Sequence, residues 1–184
     1  YKGIMASSMD EIMTNCQRGL VDYCFLGGAQ IDKYGNLNST QIGNDHRKPK
    51  VRFPGSGGAN DLASLCWKTL VVTPQDNRRF VEKLDFYTTP GYLQGGNTRY
   101  EAGLPAGTGP YKVITNLGVY GFHPESKEMM LLSLHPGHTI QDIKENTGFD
   151  ILIKDYEVTK EPTAEELKIL REQVDPLKYI IGRV

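Results

Sequence analysis

No part of the sequence constrains the fold more than a glycine-rich stretch that runs into an amphipathic one, Gly55-Ser-Gly-Gly-Ala-Asn-Asp-Leu-Ala-Ser-Leu-Cys-Trp67. Three glycines within four positions favour a turn whose backbone conformations other residues avoid. We predict that Asn60 or Asp61 caps a helix after this turn and that residues 69–73 form a buried strand behind it. Such a turn leaves backbone N–H groups for an oxyanion, a phosphate or a thioester carbonyl, although a turn that only reverses the chain has the same pattern.

The composition is that of an ordinary globular protein, with 184 residues, 39% hydrophobic and 23% charged. This length predicts a single domain, residues 1–184, with a core of its own. A net charge of −1 does not indicate a nucleic acid or a membrane surface as partner, and we find neither a signal peptide nor an apolar run long enough to span a bilayer. Cys16, Cys24 and Cys66 lack metal-ligand spacing, so we expect reduced thiols, a cytoplasmic location and no bound metal.

Helix and strand patterns alternate along the chain. Cap residues predict helices that begin near residues 8, 60, 139 and 162, the first with a capping box at Ser8-Met-Asp-Glu11 and the last with Leu167, Leu170 and Val174 on one apolar face. Apolar runs predict strands at 23–26, which we expect to be buried, and at 69–73, 111–115, 118–122, 129–134 and 151–153. Tyr34-Gly35-Asn36 predicts a turn in which Gly35 and Asn36 can take positive φ. The order predicts the α/β class, with an open, largely parallel sheet, flanking helices and added antiparallel strands. In such sheets, ligands bind beyond the carboxyl ends of the strands.

Other segments carry weaker signals. The polar and basic residues 43–52 predict a solvated loop, and residues 88–109, without clear periodicity, are either functional or ordered by a partner. His135-Pro-Gly-His138 is a poor metal pair, because Pro136 and Gly137 prevent the helical spacing that would bring the two imidazoles together. The glycine turn also lacks the third glycine of a dinucleotide-binding motif, since Asn60 stands there.

Two motifs resemble the beta-type subunit of family I coenzyme A transferases. They are Leu26-Gly-Gly-Ala-Gln-Ile-Asp-Lys-Tyr-Gly-Asn-Leu-Asn-Ser-Thr40 and Gly55-Ser-Gly-Gly-Ala-Asn60, supported by similar stretches at 85–91, 113–119 and 145–149. The resemblance covers nearly the whole chain and keeps its order. It implies the Rossmann-like α/β fold of that family, which is related to NagB.

The resemblance also implies a reaction and a set of site residues. In that family a glutamate attacks the acyl-CoA thioester and forms an anhydride and then a glutamyl-CoA, which passes CoA to a second acid. In relatives this glutamate lies upstream of the position of Tyr1, so we expect the nucleophile outside these residues. The N–H groups of the glycine turn, where we expect positive φ, would bind the thioester oxygen. By match, those groups belong to Gly57, Gly58 and Ala59, and the residues near the CoA or acyl group are Gln30, Asn36, Asn38, Ser39, Gly55 and Asn60.

The implied partner is an alpha-type subunit of related fold, in a hetero-oligomer. Coenzyme A is a substrate in this interpretation, and no cofactor is bound permanently. Two alternatives stay open from the sequence. The chain is similar to family members that decarboxylate a glutaconyl-type CoA thioester or hydrolyse a carbon–carbon bond of a ring-derived one, and it could also be a non-catalytic CoA-binding subunit.

Overall fold

The computed structural model describes residues 5–180 and residue 182. Its helices are α1 (Met9–Gln17), α2 (Ala59–Leu65), α3 (Thr98–Glu101), α4 (Ile140–Glu145) and α5 (Ala164–Ile169), and α5 continues as a π-helical turn, Leu170–Val174. The strands are β1 (Tyr23–Leu26), β2 (Gln30–Ile31), β3 (Leu37–Asn38), β4 (Gln41–Ile42), β5 (Val51–Arg52), β6 (Lys68–Val72), β7 (Pro110–Ile114), β8 (Gly118–Phe122), β9 (Met129–Leu134) and β10 (Glu157–Val158).

A six-stranded sheet in the order β1-β6-β7-β8-β9-β10 organises the chain. Strands β1, β6 and β7 are parallel neighbours, β8 is antiparallel to both β7 and β9, and β10 is parallel to β9. Two small antiparallel pairs, β2–β3 and β4–β5, lie outside this sheet. The predicted α/β class, with a largely parallel sheet and added antiparallel strands, is therefore confirmed.

The main core lies on one face of the sheet. A row of residues in register across four strands, with 0% exposure at each position, forms its centre: Val71, Val113, Tyr120 and Leu131. The Phe80 and Phe149 rings stack beside it with centroids 6.1 Å apart. A smaller cluster joins α1, α2 and β1 through the three cysteines, which are free thiols.

Two of the four predicted helices begin with a side-chain cap. Thr139 and Thr163 both form capping boxes, at the starts of α4 and α5. Ser8 is the N-cap of α1, but its side chain makes no capping hydrogen bond, and the carboxylate of Glu11 accepts from Ser7 instead. The predicted capping box at Ser8 is therefore wrong.

Three further predictions need correction. Residues 151–153 make only a single bridge to β9, between Leu152 and Met130. Strand β1 is not buried as a whole, because it is an edge strand on which Tyr23 and Phe25 are 50% and 68% exposed. The apolar side of the last helix also lacks cover, since none of the residues in α5 and its π-helical turn is buried. No helix within residues 5–180 has the length and apolar character needed to cross a membrane.

Candidate functional site

The glycine turn joins β5 to α2 and differs in detail from its prediction. Gly55 and Gly57 have φ of 104° and 51°, the left-handed region that favours glycine. Gly58 has φ of −86° and is the N-cap of α2, so the expected positive φ at Gly58 and the expected caps at Asn60 or Asp61 are wrong. A Cβ at position 58 would meet Cε of Met13 in α1, at the flexible end of that side chain, which would have to shift.

The turn presents some of its N–H groups and uses others. The N–H of Ala59 donates to Ser56 O at 2.9 Å, which closes the turn. The N–H groups of Gly57 and Gly58 donate to no acceptor within residues 5–180. Ser56 and Gly57 are exposed, so an incoming carbonyl oxygen can reach this part of the turn. Two of the three predicted donors are thus unpaired here, and the third is engaged in the turn itself.

Gln30 and Asn38 form a buried amide pair across the β2–β3 ladder. Asn38 Nδ2 donates to Gln30 Oε1 at 2.7 Å and to Gln41 O at 2.7 Å. Gln30 also exchanges two hydrogen bonds with Asp85, from Nε2 to Oδ2 and from the Asp85 N–H to Oε1. Because these amide groups are occupied and the two residues are 7% and 0% exposed, they act here as supports of the loop.

Asn36 is equally buried and holds two segments together. Its Oδ1 accepts from the N–H groups of Gly91 and Leu93, and its Nδ2 donates to Leu93 O and to Asp32 Oδ2. Asp32 closes the predicted turn by accepting from the N–H groups of Tyr34 and Asn36, and Gly35 has the expected positive φ of 72°. Burial raises the pKa of Asp32, while the hydrogen bonds from Asn36 and Tyr34 act to lower it.

Thr88 connects the two sequence motifs. Its hydroxyl accepts from the Ser39 N–H at 2.9 Å and lies 2.8 Å from the Thr40 hydroxyl. Its carbonyl accepts from Asn60 Nδ2, on the first turn of α2, at 3.0 Å. Ser39 and Asn60 therefore both donate hydrogen bonds to Thr88, a residue that sequence reasoning did not select. The signal available was the supporting stretch 85–91, which contains Thr88.

A cleft of about 330 Å³ adjoins this connection. It lies between α2 and the segments 87–93 and 102–104, and Asn60, Ser64 and Thr88 line it. Thr89 also lines the cleft, and its buried Oγ1 has no hydrogen-bond partner within the described chain. The wall of the cleft is uncharged, with hydroxyl and amide groups beside apolar side chains, which suits a neutral polar ligand segment.

The long segment 88–109 is ordered by contacts within this chain. It contains the short helix α3, and Arg99 on that helix is 4% exposed. The guanidinium donates to Gly91 O and to Ala63 O, each at 2.8 Å, and so ties the segment to α2. Sequence reasoning missed Arg99, because a fully buried arginine is an exception to the usual surface preference.

His135, one of the two histidines in the 135–138 loop, has a structural role. His135 is held by Thr159 Oγ1 at 2.8 Å and by Thr115 O at 3.0 Å. Within the described residues, no cluster of three His, Cys, Asp or Glu side chains could hold a metal ion.

The comparisons identify the family of this fold and site. The family model for coenzyme A transferase matches residues 2–146, so the chain belongs to the coenzyme A transferase family. The beta-type subunit of glutaconate CoA-transferase from Acidaminococcus fermentans is 42% identical over 152 residues, which are 83% of this chain and 56% of that protein. The beta-type subunit of 3-oxoadipate CoA-transferase from Pseudomonas knackmussii is 44% identical over 156 residues, 84% of this chain and 59% of that protein.

A solved structure of the first of these two enzymes is also similar to this chain. The crystal structure of glutaconate coenzyme A-transferase from Acidaminococcus fermentans superposes with a TM-score of 0.86 and 38% identity, over 95% of this chain and 67% of that one. The chain spans less than two thirds of the length of the two curated relatives, at 56% and 59%. The predicted resemblance to the beta-type subunit is confirmed, since both relatives are the beta-type chains of their enzymes.

Proposed function

We propose that the chain is part of a coenzyme A transferase subunit of the beta type, and that it moves CoA between carboxylic acids together with an alpha-type subunit. The observation that supports this most directly is the glycine turn, in which Gly57 and Gly58 keep unpaired N–H groups beside the cleft-lining helix α2. The two relatives described above, at 42% and 44% identity, are named as transferases, whereas the ring-cleaving hydrolase subunit of Rhodococcus jostii is 32% identical, and this difference favours transfer over hydrolysis.

The proposed chemistry assigns the turn to the thioester oxygen. Attack on a thioester carbonyl develops negative charge on that oxygen, and each preorganised N–H donor in such a site is worth about 2.7–4 kcal/mol of transition-state stabilisation. Gly57 and Gly58 supply these donors in our proposal, while Ala59 holds the turn closed. Coenzyme A is then a substrate, and the turn needs no permanently bound cofactor for this role.

The nucleophile is proposed to lie outside the two motifs. Asp32 and Asp85 are engaged in hydrogen bonds that hold the loop, and Asp61 and Glu101 are exposed on α2 and α3. Among the residues that the structure describes, none of these four carboxylates accepts a hydrogen bond from the glycine turn. We also propose a cytoplasmic location, supported by the three free thiols.

The test is a Gly57→Ala variant in complex with an alpha-type subunit. At a φ of 51° an added Cβ meets open space but strains the backbone, so the peptide that carries the donors should rotate. We expect turnover to fall by about 100-fold, the effect of losing one oxyanion donor. The matched control is Gly137→Ala, which has a φ of 82° and open space around it, and which lies in the 135–138 loop.

The control should lose a similar ~1 kcal/mol of stability and keep its turnover. Equal turnover for both variants would overturn the assignment of the turn.

Treatment of the acyl-CoA-loaded complex with borohydride, which reduces a glutamyl thioester, distinguishes the three candidate functions. A stable mass change on a carboxylate of the complex supports transfer, and consumption of acyl-CoA without it supports decarboxylation or hydrolysis. Binding without consumption supports the non-catalytic alternative.

A further inference from the structure

A second cavity, of about 270 Å³, lies against the same segment that carries α3. We call it the Arg99 cavity. The polar side chains that line it are Tyr92, Asn97, Arg99, Tyr100, Thr108 and Lys127. Two of these are cations, and no acidic side chain is among the described residues that line the cavity. The cavity is thus electropositive by its composition, in a chain whose net charge is −1.

Arg99 contributes a buried charge that has no counter-ion in the described part of the chain. Its Nη atoms donate to the carbonyls of Pro90, Gly91, Ala63 and Ser64 and to Thr108 Oγ1, at 2.8–3.2 Å. Within residues 5–180 no carboxylate lies within 4.0 Å of the guanidinium, and Nε has no hydrogen-bond partner. Burial lowers the pKa of this guanidinium, which reflects the cost of a charge removed from water. Carbonyl dipoles offset part of that cost, and an anion would offset more.

Lys127 brings the second charge in an unusual backbone conformation. It has a φ of 62°, where glycine is favoured, and its Nζ lies 5.3 Å from the centroid of the Tyr92 ring. No described carboxylate lies within 4.0 Å of it, whereas nearby Lys33 pairs with Glu128 at 3.3 Å. Among the residues that the structure describes, neither cation of the Arg99 cavity has an acidic partner, whereas Lys33 has one.

We propose that the Arg99 cavity binds a small anion, a carboxylate or phosphate group, between Lys127 and Arg99. A charge-assisted hydrogen bond from a lysine ammonium to such a group is among the stronger polar contacts in proteins. The neutral donors Asn97 and Tyr100 line the same space and can complete the set. The proposal of an anion site depends only on the cavity and its two positive charges, and not on the proposed function.

The identity of the molecule that carries the anion is inferred from the proposed function. Arg99 contacts Ala63 and Ser64, and helix α2 begins one residue after Gly58. At a rise of 1.5 Å per residue, the contact lies ~8 Å along the helix from the glycine turn. One acyl-CoA molecule can reach both places. The anion is then either the distal carboxylate of a dicarboxylic acyl group or a phosphate of coenzyme A.

The first experiment titrates the chain with inorganic phosphate and with glutarate, and follows its backbone amide signals by NMR. Both anions should shift the signals of Gly96, Asn97, Ala106 and Gly107. Lys127→Gly should weaken both affinities about tenfold, the contribution of one charge-assisted contact, while relieving the left-handed backbone and stabilising the fold. Lys178→Gly is the matched control, because Lys178 also has a positive φ, of 56°, and is not among the residues that line the cavity.

Lys178→Gly should bind both anions with unchanged affinity. The inference is overturned if neither anion shifts these signals, or if the two variants bind equally. The titration contains no thioester, so its failure is independent of the Gly57→Ala result and leaves the proposed function standing.

A second measurement distinguishes the sources. In complex with an alpha-type subunit, Lys127→Gly should raise KM for a dicarboxylic acyl-CoA alone if the anion is the distal carboxylate. It should raise KM equally for a monocarboxylic acyl-CoA if the anion is a CoA phosphate. Adenosine 3′,5′-bisphosphate should then displace phosphate from the cavity in the titration. Unchanged KM for both thioesters would overturn the assignment to acyl-CoA.

Discussion

The buried amide network and the glycine turn differ in how many of their polar groups are hydrogen-bonded and in how exposed they are. In the network, each side-chain oxygen and nitrogen of Asn36 and Asn38 makes two hydrogen bonds, and both residues are 0% exposed. In the turn, Gly57 is exposed and two successive N–H groups have no acceptor within the described chain. The comparison shows a rigid support beside a turn with unsatisfied donors, which is the arrangement that a preorganised binding site requires.

The largest effect should come from removing the centre of the support. Asn36→Ala deletes four hydrogen bonds and leaves the N–H groups of Gly91 and Leu93 without their acceptor in the interior. Each buried polar group left unsatisfied costs about 1–3 kcal/mol, so we expect a loss of about 3–5 kcal/mol in the free energy of unfolding. Urea denaturation followed by circular dichroism measures it.

The matched control for this prediction is Asn44→Ala. Asn44 is exposed in the polar loop 43–52, and its substitution should change stability by less than about 0.5 kcal/mol. A loss at Asn36 no larger than the one at Asn44 would mean that the network does not support the fold.

A smaller effect should follow when the link between the two motifs is weakened. Thr88→Val keeps the shape and the carbonyl that accepts from Asn60, but it leaves the Ser39 N–H without the Thr88 hydroxyl. We expect a cost of about 1–2 kcal/mol in stability. We also expect CoA transfer in the complex to fall by about tenfold, because small displacements of positioning groups reduce turnover strongly.

Thr159→Val is the control for that prediction. The Thr159 hydroxyl donates to Ser133 at 2.8 Å, near β9 and away from the glycine turn. It should lose a similar amount of stability and retain full turnover. If both variants keep full turnover, Thr88 joins the motifs without positioning the site.

Sequence reasoning predicted the elements whose signals are local, and missed the contacts that span the chain. The capping boxes at Thr139 and Thr163 each lie within four residues, and both are present in the structure. The bond from Asn60 to Thr88 spans 28 residues, and the one from Asn36 to Leu93 spans 57. Such pairings follow from the packing of whole segments, which no short motif records. The motifs identify Asn36 and Asn60 as candidate site residues, but they do not show which segments the hydrogen bonds of these residues connect.

The smallest effect concerns Asp32, a buried carboxylate that accepts hydrogen bonds from the backbone and the side chain of Asn36. Burial raises the folded-state pKa of Asp32 above its ordinary value of 3.8, and hydrogen bonds from Asn36 and Tyr34 oppose part of that shift. The folded chain therefore binds this proton more tightly than the unfolded chain. The stability that the protonated carboxyl contributes is fully present below the unfolded pKa and is lost as pH rises through the folded pKa.

Asp32→Asn removes this titration while keeping the size of the side chain. The variant itself will be less stable at every pH, because an amide nitrogen cannot accept as a carboxylate oxygen does. That constant cost does not affect the slope. The free energy of unfolding of the wild-type chain minus that of the variant should fall as pH rises from below 3.8 towards neutrality. A difference that stays flat or rises over this range would show that burial in the network does not raise the pKa of Asp32.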